Sequence, residues 1–263
     1  MKQTTLKQEC TFSGIGLHSV HNATIAVLPA PEDHGIVFYK EDRIIPARVE
    51  EVVDTRRGTT LGGIIQVEHL LAAINGLKID NLMIKVVGDE IPVLDGSALE
   101  FVKTFTSIGM AEQNKEKNFL ELRQTVHFEE DGKSISAAPF DGFRVDFMVN
   151  FSIIGPESFE FKGTTEEFIK EIAPARTFGY QKELEALQRQ GLAKGASLEN
   201  ALAIGEKGFL NQPRFPDEPV RHKVLDIIGD LALLGRPLKA KITAKKTGHT
   251  ANIELVRRIL CSI

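Results

Sequence analysis

The sequence predicts an α+β fold of two similar two-layer sandwich domains, and the main reason is an order of elements that occurs twice. In the first half, apolar residues at helical spacing predict a helix over Val67–Asn75. Gly76 follows, then a strand over Leu82–Val87, a loop, and a helix that starts at Ala98. Elements in this order are typical of a sheet that helices cover on one face.

The second half repeats the order. A helix over Val220–Leu234 is followed by Gly235, a strand over Leu238–Lys245, a loop at Thr247–His249 and a helix over Ala251–Leu260. The halves share little sequence, so the repeat rests on the order of their elements. We therefore expect two copies of one α+β unit, each with inserted elements, and an active site between them.

A boundary between the two units is predicted in the polar stretch Met110–Lys117, which we expect to be a linker. This gives domains at 1–111 and 118–263. The segment Gly179–Phe209 interrupts the second unit, and insertions of this length in compact domains are often functional. Further strands are expected at Ala23–Leu28, Gly35–Tyr39, Thr125–Glu129, Ser134–Ala138 and Phe143–Phe151.

The composition argues against several classes of protein. Of the 263 residues, 42% are hydrophobic and 26% are charged, as in ordinary globular proteins. The net charge of −4 gives no reason to expect a nucleic-acid partner, and no apolar run is long enough for a membrane span. The two cysteines form no motif, and the first residues lack the apolar core of a signal peptide. We expect a cytoplasmic monomer.

The segment Arg221–Leu231 is the most informative stretch for function. It places His222, Asp226 and Asp230 four residues apart, so that an imidazole and two carboxylates share one helix face. The opposite face is apolar, with Val220, Val224, Ile227, Ile228 and Leu231. The polar face suits a catalytic metal, which usually has three protein ligands, although such a face is more often simply solvated.

A third ligand is expected on the equivalent helix of the first half. If the halves correspond, Glu68 and His69 lie on the helix that matches the one carrying His222 and Asp226. The set His69, His222 and Asp226 suits Zn²⁺ or another divalent ion between the domains. Glu68 is then a candidate base and His249 a candidate proton donor. Taken singly, Glu68 and His69 also fit an exposed helix pair, and His249 an ordinary loop histidine.

Six motifs, in order along the chain, make the sequence similar to a known family. They are GIGLHS (14–19), VEHLLAAINGLKIDN (67–81), EIPVLDGSALEF (90–101), ARTFGY (175–180), RHKVLDIIGDL (221–231) and KKTGHTAN (245–252). Through them the chain resembles the bacterial zinc-dependent UDP-3-O-acyl-N-acetylglucosamine deacetylases of lipid A biosynthesis. The resemblance covers nearly the whole chain. It implies a Zn²⁺ cofactor, with Fe²⁺ as the alternative ion, and a UDP-linked acylated glucosamine as substrate.

The resemblance also implies roles for individual residues. The metal ligands are His69, His222 and Asp226, the general base is Glu68, and the catalytic histidine is His249. Asp230 is a partner of that histidine rather than a ligand, and Thr177 hydrogen-bonds the developing oxyanion. Substrate contacts are expected at Phe178, Lys223, Lys246, His18, Leu184 and Leu198.

The resemblance further implies that a βαβ insert in the second domain forms a passage for the acyl chain. Here that insert corresponds to about 180–211, with Ala193 and Ala201 at positions that line the passage. The chain departs from the family pattern after Asp54 and Thr55, where only 56–66 precede the VEH motif. We expect this shortening to alter part of the pocket wall and not the metal site.

The implied reaction is hydrolysis of the N-acetyl group of UDP-3-O-(3-hydroxyacyl)-N-acetylglucosamine, which gives a free amine and acetate. Two other functions remain open from the sequence. One is a metal amidohydrolase that acts on another acylated amino sugar. The other is a non-catalytic module that binds UDP-sugar lipids and holds zinc structurally, although structural zinc sites usually have four protein ligands.

Overall fold

The computed structural model describes all residues from Met1 to Ile263. Its helices are α1 (Glu68–Gly76), α2 (Leu99–Ile108), α3 (Thr165–Glu167), α4 (Gln181–Arg189), α5 (Glu218–Leu231) and α6 (His249–Cys261). Its strands in the first half are β1 (Lys2–Leu6), β2 (Cys10–Ile15), β3 (Asn22–Pro29), β4 (Ile36–Lys40), β5 (Arg43–Pro46), β6 (Val52–Asp54), β7 (Thr60–Leu61), β8 (Leu82–Val87) and β9 (Met110–Glu116).

Nine further strands lie in the second half. They are β10 (Leu120–Glu121), β11 (Val126–Glu130), β12 (Lys133–Pro139), β13 (Phe143–Phe151), β14 (Gly155–Phe161), β15 (Phe178–Tyr180), β16 (Leu202–Gly205), β17 (Gly208–Phe209) and β18 (Leu238–Lys245). Sheets and helices together confirm the predicted α+β class. None of the helices combines the length and the apolar character that a membrane crossing requires.

The two main sheets share one topology. The first has the strand order β2-β3-β8-β4-β5, and the second has the order β11-β12-β18-β13-β14. In each, the central strand follows the main helix of its half. Each central strand is antiparallel to one neighbour and parallel to the other. The repeat that the sequence predicts from element order is therefore present as a repeat of strand connections.

Helices α1 and α5 pack against each other between the two halves. Gly229 of α5 makes this approach possible, because a Cβ there would lie 2.1 Å from the carbonyl oxygen of Glu68. The apolar sides of both helices join one continuous cluster of 55 buried residues. The first residues of α1 are thereby held against the middle of α5, and this contact positions the site described below.

The stretch Met110–Lys117, expected to be a linker, is a strand as far as Glu116. It forms β9, which pairs antiparallel with β1, so that Leu6 lies opposite Met110 and Thr5 opposite Ala111. Its side chains are mostly exposed and polar, and backbone hydrogen bonds hold it in place. A strand without an apolar face gives no hydrophobic period, which is why the composition indicates a loop.

Residues 180–211, which the resemblance assigns to the acyl passage and which we call the acyl insert, contain most of a small separate sheet. Strand β15 leads into α4, and β16 returns parallel to β15, with β17 antiparallel beyond it. This is the β-α-β arrangement that the resemblance implies. Helix α4 has no buried residue, so little apolar packing fixes its position.

A buried ion pair joins the start of α5 to the segment that leads into β15. Glu218 is fully buried, and its carboxylate accepts hydrogen bonds from the Arg176 guanidinium at 2.9 and 3.1 Å and from the backbone N–H of Arg176 and Arg214. Arg176 is itself almost wholly buried and directly precedes Thr177. The pair therefore fixes the position of Thr177 relative to α5.

We expect Glu218→Ala to lower the free energy of unfolding by about 3–5 kcal/mol, because it leaves the buried Arg176 charge without a partner. Urea denaturation measures the change. Glu166→Ala is the matched control, because it breaks an exposed pair with Lys170 on a helix surface and should leave the unfolding midpoint unchanged. Equal midpoints for the two variants would contradict the structural role of the buried pair.

Candidate metal centre and active site

His69, His222 and Asp226 form a buried cluster at the contact between α1 and α5. One candidate ligand atom from each residue lies within 4.8 Å of the others. The Asp226 Oδ1 atom is 3.3 Å from His222 Nε2 and 4.0 Å from His69 Nε2. The two imidazole rings are perpendicular, with centroids 4.9 Å apart. The structure thus brings together the three residues that the sequence singles out as ligands.

The donor atoms of this cluster fit a divalent cation. His69 Nε2 and Asp226 Oδ1 are buried and have no hydrogen-bond partner in the protein, although such atoms are costly to leave unpaired. His222 Nδ1 donates to the carbonyl oxygen of Ala175 at 3.0 Å, so Nε2 carries the free lone pair. Two imidazole nitrogens and one carboxylate oxygen are a usual set for Zn²⁺ or Fe²⁺ with open positions.

The protonation states of the cluster also suit a cation. Burial, together with the neighbouring His222, lowers the pKa of His69 to about 3. Burial likewise lowers the pKa of His222. Burial by itself would raise the pKa of Asp226. Lys223 and the surrounding histidines have the larger, opposite effect, so the pKa of Asp226 lies below its usual value. At neutral pH the cluster therefore presents two neutral imidazoles and one carboxylate, which are the forms that bind metal.

Glu68, the first residue of α1, lies beside the cluster. It is buried, and its Oε2 atom accepts a hydrogen bond from the Thr59 N–H at 2.9 Å, whereas Oε1 has no partner. Burial raises the pKa of Glu68 to about 7. A carboxylate with one free oxygen and a pKa near neutrality has the properties of a general base.

His249, the first residue of α6, faces Glu68 from the other side. Its Nε2 atom is 3.8 Å from Glu68 Oε1, and its Nδ1 atom donates to Asp230 Oδ2 at 2.9 Å. Burial lowers the pKa of His249, but Asp230, Asp226 and Glu68 outweigh it and raise the pKa to about 9. The imidazole is therefore protonated at neutral pH. Asp230 contacts His249 and is not one of the three residues of the ligand cluster.

The cluster opens into a cavity of about 480 Å³. Four other predicted residues line this cavity: Thr177, Phe178, Lys223 and Lys246. The Lys223 ammonium is 2.7 Å from Asp226 Oδ2 and lies 5.7 Å from the centre of the Phe178 ring. A larger cavity of about 940 Å³ lies elsewhere between the halves, but it contains none of the ligand atoms. The donor atoms, and not the volume, identify the candidate site.

Three predicted substrate contacts do not line this cavity. Leu184 lies half-buried on α4, and Leu198 is 57% exposed. His18 is buried, and its ring contacts backbone groups of other segments. The structure places Leu184 and Leu198 in the acyl insert and His18 beside it.

Comparison of the sequence with known proteins shows its family. Residues 3–261 match the family model described as LpxC, UDP-3-O-acyl N-acetylglycosamine deacetylase. The chain belongs to this deacetylase family. The match extends over both halves and includes every residue of the candidate site.

Proteins of several bacteria are similar to this chain over nearly its whole length. The UDP-3-O-acyl-N-acetylglucosamine deacetylase of Oleidesulfovibrio alaskensis is 45% identical, over 98% of this chain and 89% of that protein. The protein of the same name from Myxococcus xanthus is 43% identical, over 98% of this chain and 86% of its own. The bifunctional enzyme LpxC/FabZ of Chlorobaculum tepidum is 40% identical, over 98% of this chain and 64% of its length.

The structure adds residues to this deacetylase site that the sequence reasoning missed. Thr59 donates to Asp230 Oδ1 at 2.6 Å, and Asn252 donates to Asp230 Oδ2 at 2.9 Å. Lys133, from the β11–β12 hairpin, lines the cavity. Asn252 lies three residues after His249 on α6, and this helical spacing could have identified it. Thr59 and Lys133 lie on distant segments and carry no such signal.

Proposed function

We propose that this chain hydrolyses the N-acetyl group of UDP-3-O-(3-hydroxyacyl)-N-acetylglucosamine, a step of lipid A biosynthesis. The observation that carries the proposal is the set of buried, unpartnered atoms on His69, Asp226 and Glu68, which face one another beside a protonated His249. The names of the relatives supply the substrate. The reaction releases acetate and leaves a free amine on the sugar.

His69, His222 and Asp226 are the proposed ligands of a Zn²⁺ ion, with Fe²⁺ as the alternative. The ion supplies Lewis-acid polarisation of the acetamide carbonyl and of the attacking water. The ligands come from both halves, which we assign as domains 1–111 and 118–263. We also propose a monomer as the functional unit.

Glu68 is the proposed general base. Its Oε2 atom is held by the Thr59 N–H, so Oε1 is directed at the space between the ligand atoms and His249. There it takes the proton of water as the water attacks the acetamide carbon. Burial, together with the charges of Asp230 and Asp226, raises the pKa of this carboxylate to about 7, so near neutral pH it can both accept and release a proton.

His249 is the proposed general acid. Its protonated Nε2 donates to the amine as the carbon–nitrogen bond breaks, and the short contact of Nδ1 with Asp230 holds the ring in place. Thr177 lines the same cavity and is the proposed hydroxyl donor to the oxyanion. Lys223 and Lys246 are proposed contacts of the UDP diphosphate, and Phe178 packs against the sugar.

The decisive experiment is release of acetate from UDP-3-O-(3-hydroxyacyl)-N-acetylglucosamine by purified protein. We expect no release after chelation and recovery on addition of Zn²⁺ or Fe²⁺. A fully metallated protein that releases no acetate would overturn the proposal. If it binds the substrate without turnover, the chain is a binding module. If it hydrolyses a different N-acyl sugar, the amidohydrolase alternative holds.

The kcat/KM profile against pH should fall on its alkaline side near pH 9, because the proposed acid His249 is active only when protonated. Asp230→Asn removes a negative charge that raises the pKa of His249, so the alkaline limb should move to lower pH by about one unit or more. A parallel profile for Asp217→Asn is the control, because Asp217 directly precedes α5 and does not line the cavity. An unmoved limb in Asp230→Asn would show that another group titrates there.

A further inference from the structure

One loop of the acyl insert contacts the first half of the chain at the segment that carries Leu17 and His18. The N–H of Gly195 donates to the Leu17 carbonyl oxygen at 2.9 Å, and the N–H of Ala193 donates to His18 Nδ1 at 3.1 Å. The two segments approach closely. A Cβ on Gly195 would lie 2.2 Å from the carbonyl oxygen of Gly16. Only glycine allows this contact without displacement of one segment.

His18 joins three segments in this region. Because Nδ1 accepts from Ala193, Nε2 is the atom that donates to the Arg57 carbonyl oxygen, at 3.3 Å. The buried carboxylate of Glu90 accepts hydrogen bonds from the N–H groups of His18 and Ser19 at 2.8 and 2.9 Å. The loop that carries His18 is therefore fixed to its own half, and the insert binds to a rigid support.

An ion pair adds a second attachment, to the helix of the insert. Arg57 contacts Glu183 of α4, with 2.8 Å between Nη2 and Oε2. Arg57 belongs to the shortened 56–66 segment, and it also lines the site cavity. Since α4 has no buried residue, this polar contact is one of the few that set its distance from the first half.

We propose that Leu17, His18 and Arg57, together with Glu183, Ala193 and Gly195, form a clasp that holds the acyl insert against the first half and thereby determines which acyl chains are recognised. The acyl role rests on the proposed function. His18 and Arg57 act through the insert as positioning residues. Opening of the clasp separates the walls of the passage and so weakens the binding of a long acyl chain. A short acyl chain does not reach the insert, so its binding is unaffected.

The first test compares Glu183→Gln with Glu185→Gln, which removes an exposed charge on the same helix that has no ion-pair partner. Substrates with a long 3-hydroxyacyl chain and with 3-hydroxybutanoyl are assayed in parallel. We expect Glu183→Gln to raise KM for the long chain about two- to fivefold, the size typical of a partly exposed ion pair, with kcat unchanged. The short-chain substrate and the Glu185→Gln variant should show no change. Equal effects on both substrates, or on both variants, would overturn the acyl role.

The second test measures hydrogen exchange in the clasp and uses no substrate. Gly195→Ala should displace the insert from the loop at Gly16, and hydrogen exchange at the Ala193 and Gly195 region should accelerate by about tenfold or more. Gly179→Ala is the control, because a Cβ there meets no atom within 4 Å. Unchanged exchange in Gly195→Ala would overturn the clasp itself. If wild-type protein releases no acetate, the proposed function fails, and this measurement still decides whether the clasp exists.

Discussion

Glu68→Gln should lower kcat by about 10²–10⁴-fold while the protein keeps its metal, because the amide cannot take a proton from water. The substitution preserves shape, and the amide oxygen can still accept the hydrogen bond from Thr59. The loss therefore reports on proton transfer and not on packing. Steady-state kinetics of acetate release, together with metal content by mass spectrometry, measure both quantities on one sample.

Glu130→Gln is the matched control for this variant. Glu130 lines the same cavity from the β11–β12 hairpin but is exposed and lies away from the ligand atoms, so its kcat should stay within about twofold of wild type. Wild-type turnover by fully metallated Glu68→Gln protein would show that Glu68 is not the base.

His69→Ala should abolish stable metal binding and, with it, acetate release. The variant removes one of three ligands, and even loss of a group that merely supports a ligand costs about 10–100-fold in metal affinity. We expect a larger loss here. Titration of chelated protein with Zn²⁺ gives the affinity, and kinetics at saturating Zn²⁺ give the residual rate.

His127→Ala, on the exposed surface of β11, controls for the loss of a histidine as such. It should bind one equivalent of metal with unchanged affinity. Retention of metal at wild-type affinity in His69→Ala would exclude the proposed ligand set, whatever the activity.

The spacing in α5 predicted which residues share a face but not what covers that face. His222, Asp226 and Asp230 are all nearly fully buried, although a polar face is usually solvated. The reason is the packing of α1 on α5 through Gly229, a tertiary contact that helical periodicity does not encode. The element order of the two halves was sufficient to place His69 on the opposing helix, and the structure brings it to the cluster.

Elements without an apolar face were the ones that the sequence did not reveal. Strand β9 is polar on both sides, and its pairing with β1 depends on backbone groups that every sequence has. The contacts of Thr59 with Glu68 and Asp230 were missed for a related reason. They join a loop to two distant helices, and no local pattern relates positions that only the fold brings together.

The placement of the proposed ligands on both α1 and α5 would couple metal supply to folding. An ion that binds only the assembled pair of helices adds its binding free energy to the stability of the native state, about 4 kcal/mol when free metal is a thousandfold above the dissociation constant. Metal starvation then depletes the folded population as well as the active fraction. An ion held between His69 and His222 would therefore stabilise the contact between the two halves as well as take part in the reaction.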